Sequence, residues 1–450
     1  MNYGEYFKGK KVTVMRIGLI GRGIGDTAYM AEAGAHITVV DAAPQEVMQP
    51  AVDALSHFSN ITFRFGPYDF ADFTDADFVL VGAGAPLDEP VLVACREADV
   101  PLKQSAALFA ELSKIPIVGV TGTRGKSTTT HMIHHVLTAT FDGQILLGGN
   151  VRGLSNLQLL KQVTEDAIAV MELDSWQLQG FGWAKLSPHV AVFTNFMEDH
   201  LNYYTAGGRT KEEAMRLYFE DKANIFRYQG DHDTLVTTPE VFEWAKKLTG
   251  VTLSQEVVLA DDSLIPDDAV LSMPGAHNRL NAALAYKALE ALGLTEDEIF
   301  AGLASFPGVE GRLQYLGEVD DVKIYNDNNA TTPQAVIVGM KAVGNVDDKN
   351  VIWIGGGAKK ELETGELLKT IPQYCKKVIL LAGTGTDLIK DEIVCEVVGS
   401  MDEAVKAGLA QSSPGDVLLF SPGFASFGMY KNEYERNDDF LKVIDGLRSE

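Results

Sequence analysis

The stretch GVTGTRGKSTTT, residues 119–130, has the residue types of a phosphate-binding loop. Five residues separate Gly119 from Gly125, one more than in the common P-loop. The apolar run PIVGV before it predicts a strand, and the residues from about Ser127 predict a helix. A strand, a glycine loop and a helix in this order favour a nucleotide site despite the shifted glycine.

Each residue type in the loop suits one part of a nucleoside triphosphate. Backbone N–H groups of Gly122, Thr123 and Gly125 would point at phosphate oxygens near the positive end of the helix. Lys126 would reach the outer phosphates, and the Ser127 hydroxyl would bind Mg²⁺. The predicted nucleotide-binding residues are Gly122, Thr123, Arg124, Gly125, Lys126, Ser127 and Thr128.

Two further polar residues follow predicted strands of the same segment. Glu172 ends the apolar run AIAVME, and His200 closes HVAVFTNFMEDH. The carboxyl ends of parallel strands meet at one edge of a sheet, so both would lie near the loop. Glu172 then becomes a Mg²⁺ ligand, and His200 a ligand of a second Mg²⁺ or a phosphate contact. The alternatives are an exposed acid at a strand end and a histidine of a surface loop.

Three histidines, His131, His134 and His135, lie on adjacent turns of the helix after the loop. Their spacing would allow a metal site. No cysteine or HExxH partner is near, so packing or a place on the helix surface is the alternative that we favour.

The whole chain alternates predicted strands and helices, which indicates an α/β fold of mainly parallel sheets with helices on both faces. We predict three domains. These are a Rossmann-like domain over 1–112, a central P-loop ATPase-type domain over 113–309 that binds ATP and magnesium, and a C-terminal Rossmann-like domain over 310–450.

The first domain opens with an imperfect dinucleotide fingerprint. Gly21 and Gly23 fit it, but Asp26 occupies the third glycine position and is a poor neighbour for a pyrophosphate. The turn alone would suggest a dehydrogenase that binds NAD, and we keep this as an alternative.

Composition excludes several partners. The 62 acidic residues exceed the 38 basic ones and give a net charge of −24, which argues against nucleic acid. No apolar run is long enough to span a membrane, and the N-terminus lacks the layout of a signal peptide. Three scattered cysteines predict no disulfide framework. We expect a cytoplasmic, monomeric protein that binds small molecules, and neither a membrane nor nucleic acid.

These residues predict an enzyme that uses magnesium and ATP, and they leave kinase, ATPase and ligase open. The sequence also resembles the Mur ligases and folylpolyglutamate synthases over nearly its whole length. Besides the glycine loop, the segments that carry the resemblance are MELDSWQL, TNFMEDHLNYY, GAHNRLNAALA, GRLQYLG with YNDNNATTP, and LLFSPGFASFGMYKNEYERNDDF.

The resemblance implies an ATP-dependent amide ligase of peptidoglycan precursor synthesis. It also implies that the domain over 1–112 binds the UDP-substrate and that the domain over 310–450 binds the amino acid. ATP would phosphorylate the terminal carboxylate of a UDP-sugar-alanine, and the amine of an amino acid would attack the acyl phosphate. Within the family, the first domain and the closing block point to D-glutamate addition onto UDP-N-acetylmuramoyl-L-alanine, with release of ADP and phosphate. The alternatives are another acceptor, such as L-glutamate, a related UDP-precursor, or a non-catalytic nucleotide-binding relative.

The resemblance also implies roles for individual residues. Lys126, Glu172, His200 and Lys222 would be catalytic. Two Mg²⁺ ions would be held by Ser127, Glu172, His200 and a carbamylated Lys222. Further nucleotide contacts would come from Asn278, Asn281, Arg312 and Asp327. The predicted substrate-binding residues are Gly23, Ile24, Asp41, Gly84, Asn150, Ser175, Gln177, Lys359 and Ser426.

The sequence departs from the family pattern near the expected substrate pockets. Asp174 replaces a serine, Asn329 a lysine and Gly311 a histidine. Ala42 and Ala43 follow Asp41 where threonine and arginine are common. These differences bear on substrate identity more than on the phosphate chemistry.

Overall fold

The computed structural model describes residues 2–19, 21–248, 253–271, 273–360 and 362–449. Ile20 of the first glycine turn lies outside these ranges. The chain separates into two compact units, Met1–Leu264 with Asn281–Ile299, and Ile265–Leu280 with Phe300–Glu450. The first unit contains two sheets and the second contains one.

The first sheet is parallel, with strand order β3-β2-β1-β4-β5. Its strands are β1 (Lys11–Met15), β2 (His36–Asp41), β3 (Ile61–Phe65), β4 (Phe78–Val81) and β5 (Leu102–Lys103). Its helices are α1 (Arg22–Glu32), α2 (Gln45–Leu55), α3 (Phe70–Thr74), α4 (Pro90–Glu97) and α5 (Ser105–Ser113), after a 3₁₀ turn at Tyr3–Tyr6. All four residues of β4 are buried, as expected for an inner strand covered on both faces.

The second sheet is also parallel, with order β11-β10-β9-β6-β8-β7. Its strands are β6 (Ile117–Thr121), β7 (Ile145–Gly149), β8 (Ile168–Glu172), β9 (Val190–Phe193), β10 (Thr234–Thr237) and β11 (Glu256–Leu259). Its helices are α6 (Lys126–Thr140), α7 (Ser175–Ala184), α8 (Leu201–Tyr204), α9 (Lys211–Ala223) and α10 (Pro239–Ala245), with 3₁₀ turns at Gln158–Lys161 and Asp262–Leu264. The helices α11 (Ala276–Ala291) and α12 (Glu296–Ser305) follow.

The third sheet has order β12-β13-β17-β14-β15-β16. Its strands are β12 (Gln314–Val319), β13 (Val322–Asn326), β14 (Val351–Gly356), β15 (Cys375–Leu381), β16 (Glu396–Val398) and β17 (Val417–Gly423). Its helices are α13 (Pro333–Val343), α14 (Gly365–Tyr374), α15 (Met401–Ala410) and α16 (Glu433–Ser449), with a 3₁₀ turn at Thr386–Leu388. The edge strand β12 is antiparallel to β13, and the other strands pair in parallel.

The two sheets of the first unit share one apolar core, in which Val14 and Phe78 belong to the first sheet and Ala169 and Phe193 to the second. The second unit has apolar clusters on both faces of its sheet. Trp353 lies fully buried on one of these faces, and its indole N–H donates to Ser421 O at 2.7 Å.

The predicted fold class, α/β with mainly parallel sheets, is confirmed. The predicted divisions at residues 112 and 309 stay predictions. The helix α6 begins at Lys126, one residue before the predicted start at about Ser127. Among the described helices, none combines the length and apolarity that crossing a bilayer would need.

Candidate functional site

The loop between β6 and α6 contains two glycines that no other residue could replace without strain. Gly122 has a φ of +145°, and a Cβ there would lie 2.0 Å from Thr194 Oγ1. Gly125 has a φ of +83° and directly precedes α6, and a Cβ there would lie 2.3 Å from Asn281 Oδ1. The loop therefore follows one path, and the predicted nucleotide residue Asn281 lies against it.

The segment after β9 holds the loop from one side. The Thr123 N–H donates to Asn195 O at 2.9 Å, and the Arg124 N–H donates to Asn195 Oδ1 at 2.8 Å. The Thr194 hydroxyl donates to Arg124 O at 2.5 Å. We expected the Thr123 N–H to face phosphate, but it is used here to fix the loop. Its role in nucleotide binding stays a prediction.

Two lysines converge on the same carbonyl. The Lys126 Nζ donates to Gly122 O at 3.0 Å and to Thr123 O at 3.1 Å. The Lys222 Nζ donates to Gly122 O at 2.8 Å and lies 5.0 Å from the centre of the Tyr218 ring. Lys222 comes from the last turn of α9 and is 1% exposed. Burial, and after it the charge of Lys126, hold the pKa of Lys222 well below its usual range.

Glu172 reaches the same edge of the sheet because β8 pairs with β6, in a register that sets Glu172 beside Val120. Glu172 is 5% exposed, and no hydrogen bond or ion pair reaches its carboxylate from any described residue. Carboxylate oxygens that no protein group occupies are available to a bound cation.

The donor set near the loop suits a magnesium ion that is shared with phosphate. Ser127 is 8% exposed and, with Glu172, offers hard oxygen ligands. Among the described residues, no cluster of three or more His, Cys, Asp or Glu side chains is placed to hold a metal ion. Mg²⁺ usually takes one or two protein oxygens and completes its shell with water and phosphate, so a sparse set fits it.

His200 lies at the start of α8 with a φ of +53°. Its ring centre is 4.7 Å from the Trp176 ring and 6.0 Å from the Tyr218 ring. Its Nε2 is 3.9 Å from Asp199 Oδ2. Burial lowers the pKa of His200, with Asp199 opposing that shift. The structure thus brings His200 and Lys222 against the same ring, and a neutral imidazole is available there as a ligand.

The residues predicted to bind the sugar-nucleotide lie on both sheets of the first unit. Gly84 packs against Trp176, whose ring atoms lie 3.7–3.8 Å from where a Cβ would be. The Arg16 guanidinium donates to Gly84 O at 3.2 Å. Asn150, after β7, donates its N–H to Glu172 O at 2.6 Å. Asn150 is therefore joined to the strand end that carries Glu172.

Other predicted substrate residues have local structural contacts. Gly23 lies in the first turn of α1, where a Cβ would meet Ile17 O at 2.0 Å, and Ile24 packs on the core. Asp41 Oδ1 accepts from the Ala43 N–H at 3.0 Å. Ser175 is 1% exposed, and Gln177 forms a capping box with Asp174 at the start of α7. Their roles toward a ligand stay predictions.

In the second unit, an isolated antiparallel bridge between Ala358 and Ala425 joins the two segments that carry Lys359 and Ser426. Lys359 is exposed and Ser426 is buried. The pair lies just beyond β14 and β17, at the edge where open parallel sheets bind ligands. This position is compatible with the predicted role of both residues in binding the incoming amino acid.

The nucleotide residues predicted in the second unit differ in exposure. Arg312 is exposed, whereas the Asn278 amide is buried and donates to Pro274 O at 2.8 Å. Asp327 accepts from the Ser421 hydroxyl at 2.9 Å and from the Leu313 N–H at 3.0 Å. Burial raises the pKa of Asp327 to about 7.

Two departures from the family pattern contact each other. Gly311 has a φ of +69°, and a Cβ there would lie 3.3 Å from Asn329 Nδ2. The Asn329 N–H donates to Gly311 O at 2.8 Å. The third departure, Asp174, caps α7 by accepting from the Gln177 N–H at 2.7 Å.

The histidines of α6 have no metal-binding arrangement among the described residues. The His131 Nδ1 lies 2.8 Å from Ser127 O, within its own helix. The alternative that we favour, packing and surface positions on α6, stays a prediction.

Sequence reasoning missed two residues of the site. Asn195 fixes the loop, and it was visible only as part of the TNFMEDH segment. Tyr218 lies against Lys222 and His200, and its spacing of four residues before Lys222 puts both on one face of α9. This spacing was the sequence signal that could have identified Tyr218 as a neighbour of Lys222.

Comparison with known families finds two matching models. The model of the Mur ligase middle domain matches residues 120–257. The model of the Mur ligase glutamate ligase domain matches residues 311–424. Together they cover the loop of the first unit and most of the sheet of the second.

Curated relatives match from end to end. The UDP-N-acetylmuramoylalanine–D-glutamate ligase of Roseiflexus sp. (strain RS-1) is 30% identical, over 98% of this chain and 99% of that protein. The protein with the same name from Streptococcus mutans is 31% identical, over 100% of both chains.

Solved structures share the fold. The UDP-N-acetylmuramate-alanine ligase MurC of Thermotoga maritima matches with a TM-score of 0.58 and 19% identity, over 97% of this chain and 99% of that chain. The MurF ligase of Thermotoga maritima in complex with ADP matches with a TM-score of 0.58 and 17% identity, over 99% of this chain and 97% of that chain.

The first prediction concerns Gly125. Gly125→Ala should weaken the binding of magnesium–ATP by about tenfold or more, because the strain of a positive φ adds to a clash with the Asn281 side chain. Isothermal titration calorimetry measures the affinity. Gly293→Ala is the matched control, since Gly293 has a φ of +91° with nothing within 4 Å of a Cβ. Equal affinity in both variants would contradict this account of the loop.

The second prediction concerns Asp327. Its folded pKa of about 7 lies above the usual value of 3.8, so the folded state holds a proton that the unfolded state has lost between these values. The free energy of unfolding of the second unit should therefore fall by about 2–3 kcal/mol from pH 5 to pH 8. Asp327→Asn should remove that fall.

Denaturant unfolding followed at both pH values tests this prediction. Asp402→Asn removes an exposed carboxylate of α15 and serves as the control for lost surface charge. A fall in Asp327→Asn as steep as in the parent protein would contradict the assigned role of the buried carboxyl group.

Proposed function

The chain belongs to the Mur ligase family, and we propose that it joins D-glutamate to UDP-N-acetylmuramoyl-L-alanine with the hydrolysis of ATP to ADP and phosphate. The observation that carries the proposal is the convergence of Lys126 and Lys222 on Gly122 O, at the sheet edge to which β8 also brings Glu172. A cationic lysine and a carboxylate at one sheet edge suit a phosphate group with a bound Mg²⁺. The choice of D-glutamate is supported by the names of the full-length relatives.

The residues of the loop suit the transfer of a phosphoryl group. A carboxylate is a poor electrophile, so it must be activated before an amine can attack it. Phosphoryl transfer needs mainly positioning and charge neutralisation. In the proposed reaction, Lys126 neutralises the outer phosphates, and the N-terminus of α6 adds positive potential.

Magnesium is part of the proposal. Ser127 and Glu172 would hold one ion, and His200 with a carbamylated Lys222 would hold the other. When bound, Mg²⁺ would draw charge from the phosphate oxygens. Formation of a carbamate needs an uncharged amine, and the burial that lowers the pKa of Lys222 favours this form.

Binding of the acceptors is proposed from the predicted residues. Gly23, Ile24, Asp41, Gly84, Asn150, Ser175 and Gln177 would contact the UDP-precursor. Lys359 and Ser426 would hold the carboxylates of the amino acid. Asn278, Asn281, Arg312 and Asp327 would contact the nucleotide. The ADP bound to the MurF ligase structure supports the choice of nucleotide.

The third prediction tests the acceptor. ADP release in the presence of magnesium should require both UDP-N-acetylmuramoyl-L-alanine and an amino acid, and it should be about tenfold or more faster with D-glutamate than with L-glutamate. A coupled ADP assay across a panel of amino acids measures this. Lys126→Met should lower the rate by about 100-fold, since it removes a cation from the transferring phosphate.

Faster release with L-glutamate, or with another amino acid, would support the alternative of a changed acceptor. ADP release at the same rate with and without an amino acid would contradict ligase activity. The absence of release with every amino acid would support the non-catalytic alternative.

A further inference from the structure

Asp26 is a buried carboxylate that the proposed chemistry does not use. It is 2% exposed and lies on α1, where a dinucleotide fingerprint would have its third glycine. The Ser155 hydroxyl donates to Asp26 Oδ1 at 2.6 Å, and the Leu157 N–H donates to the same oxygen at 2.9 Å. Burial raises the pKa of Asp26, and these hydrogen bonds oppose that shift. A carboxylate in such a place is costly unless its partners are fixed.

Arg22 lies one turn before Asp26, and a spacing of four residues puts both on one face of α1. The Arg22 Nη2 donates to Asn150 Oδ1 at 2.8 Å. The loop 150–157 begins at Asn150 and ends at Leu157. This face of α1 therefore holds both ends of a single loop of the central sheet.

The loop is also fixed from within. The Asn156 Oδ1 accepts from the Gly149 N–H at 2.7 Å, and the Asn156 Nδ2 donates to Ser105 Oγ at 3.1 Å. Gly149 directly precedes Asn150, whose own N–H is bonded to Glu172 O. A shift of residues 155–157 would therefore be passed through Gly149 to Asn150.

The contact between α1 and the loop is close. A Cβ on Gly25 would lie 2.6 Å from the Ser155 Cβ. The Gln158 Nε2 donates to Gly25 O at 3.1 Å. The second turn of α1 is thus covered by protein, which argues against the dinucleotide alternative for this part of the turn.

We propose that Asp26 is a positioning residue that clamps the loop 150–157 on α1 and so presets Asn150 for the UDP-precursor. The proposal rests on the proposed function, because Asn150 is assigned there to the UDP-precursor. If Asp26 only stabilised the fold, its loss would raise hydrogen exchange throughout the first unit. If Asp26 positions the loop, its loss should raise exchange in the loop 150–157 and weaken binding of the UDP-precursor alone.

The fourth prediction separates these two effects. In Asp26→Ala, backbone hydrogen exchange of residues 149–157 should become about tenfold faster, because two hydrogen bonds to one buried oxygen are lost. The KM for the UDP-precursor should rise by about tenfold, while the KM for ATP stays within about twofold. Asp26→Asn keeps an acceptor oxygen in place and should recover most of both values.

Thr27→Val is the matched control. It removes a buried hydroxyl from the next residue of α1, where the hydroxyl donates to Gly23 O at 2.7 Å within the helix. Exchange and KM values in this variant should equal those of the parent protein. Ser155→Ala removes only one of the two hydrogen bonds to Asp26, and it replaces Asp26→Ala if that variant does not fold.

Unchanged exchange of residues 149–157 in Asp26→Ala and Ser155→Ala would overturn the proposal. Equal rises in every KM, or no recovery in Asp26→Asn, would also overturn it. The hydrogen-exchange measurement needs no turnover. If the parent protein has no ligase activity, the proposed function is contradicted, but hydrogen exchange still tests whether Asp26 fixes the loop 150–157.

Discussion

The candidate site depends on the backbone carbonyl group of Gly122, in the loop between β6 and α6. Gly122 O accepts hydrogen bonds from two lysines, one from the start of α6 and one from the end of α9. This is possible because Gly122 has a backbone conformation that favours glycine and because the Thr194 hydroxyl occupies the space of a side chain. Burial and the charge of Lys126 lower the pKa of Lys222, so an uncharged Lys222 amine beside a charged Lys126 is favoured. Lys126 and the N-terminus of α6 therefore offer positive potential to a phosphate group.

The strand order brings the other groups to this carbonyl. In the central sheet β6 lies between β9 and β8, so the segments after all three strands meet at one edge. The strand β8 supplies Glu172, and the segment after β9 supplies the asparagine that fixes the loop. The loop after β7 adds Asn150, which is joined to Glu172 through the backbone. Hydrogen bonds from Arg22 and to Asp26 connect the loop after β7 with α1, a helix of the first sheet.

Much of this could be predicted from the sequence. The inner strands β6, β8 and β9 are short apolar runs, and each of them was predicted from the sequence. The edge strands β3 and β16 were not predicted, because only some of their residues are buried and their sequences resemble loops. Lys222 was placed by resemblance alone. Its deep burial depends on the packing of α9 against the sheet, and hydrophobic periodicity within α9 does not predict that packing. The role of Asp26 was hidden for the same reason, since its partners are about 130 residues away.

The central claim is that the groups around Gly122 O transfer phosphate from ATP to a carboxylate. The most direct test uses UDP-N-acetylmuramoyl-L-alanine labelled with heavy oxygen in its terminal carboxylate, with mass spectrometry of the phosphate released with D-glutamate. An acyl phosphate leaves one carboxylate oxygen on the phosphate, so each turnover should give one labelled phosphate. Labelled product with wholly unlabelled phosphate would contradict the account.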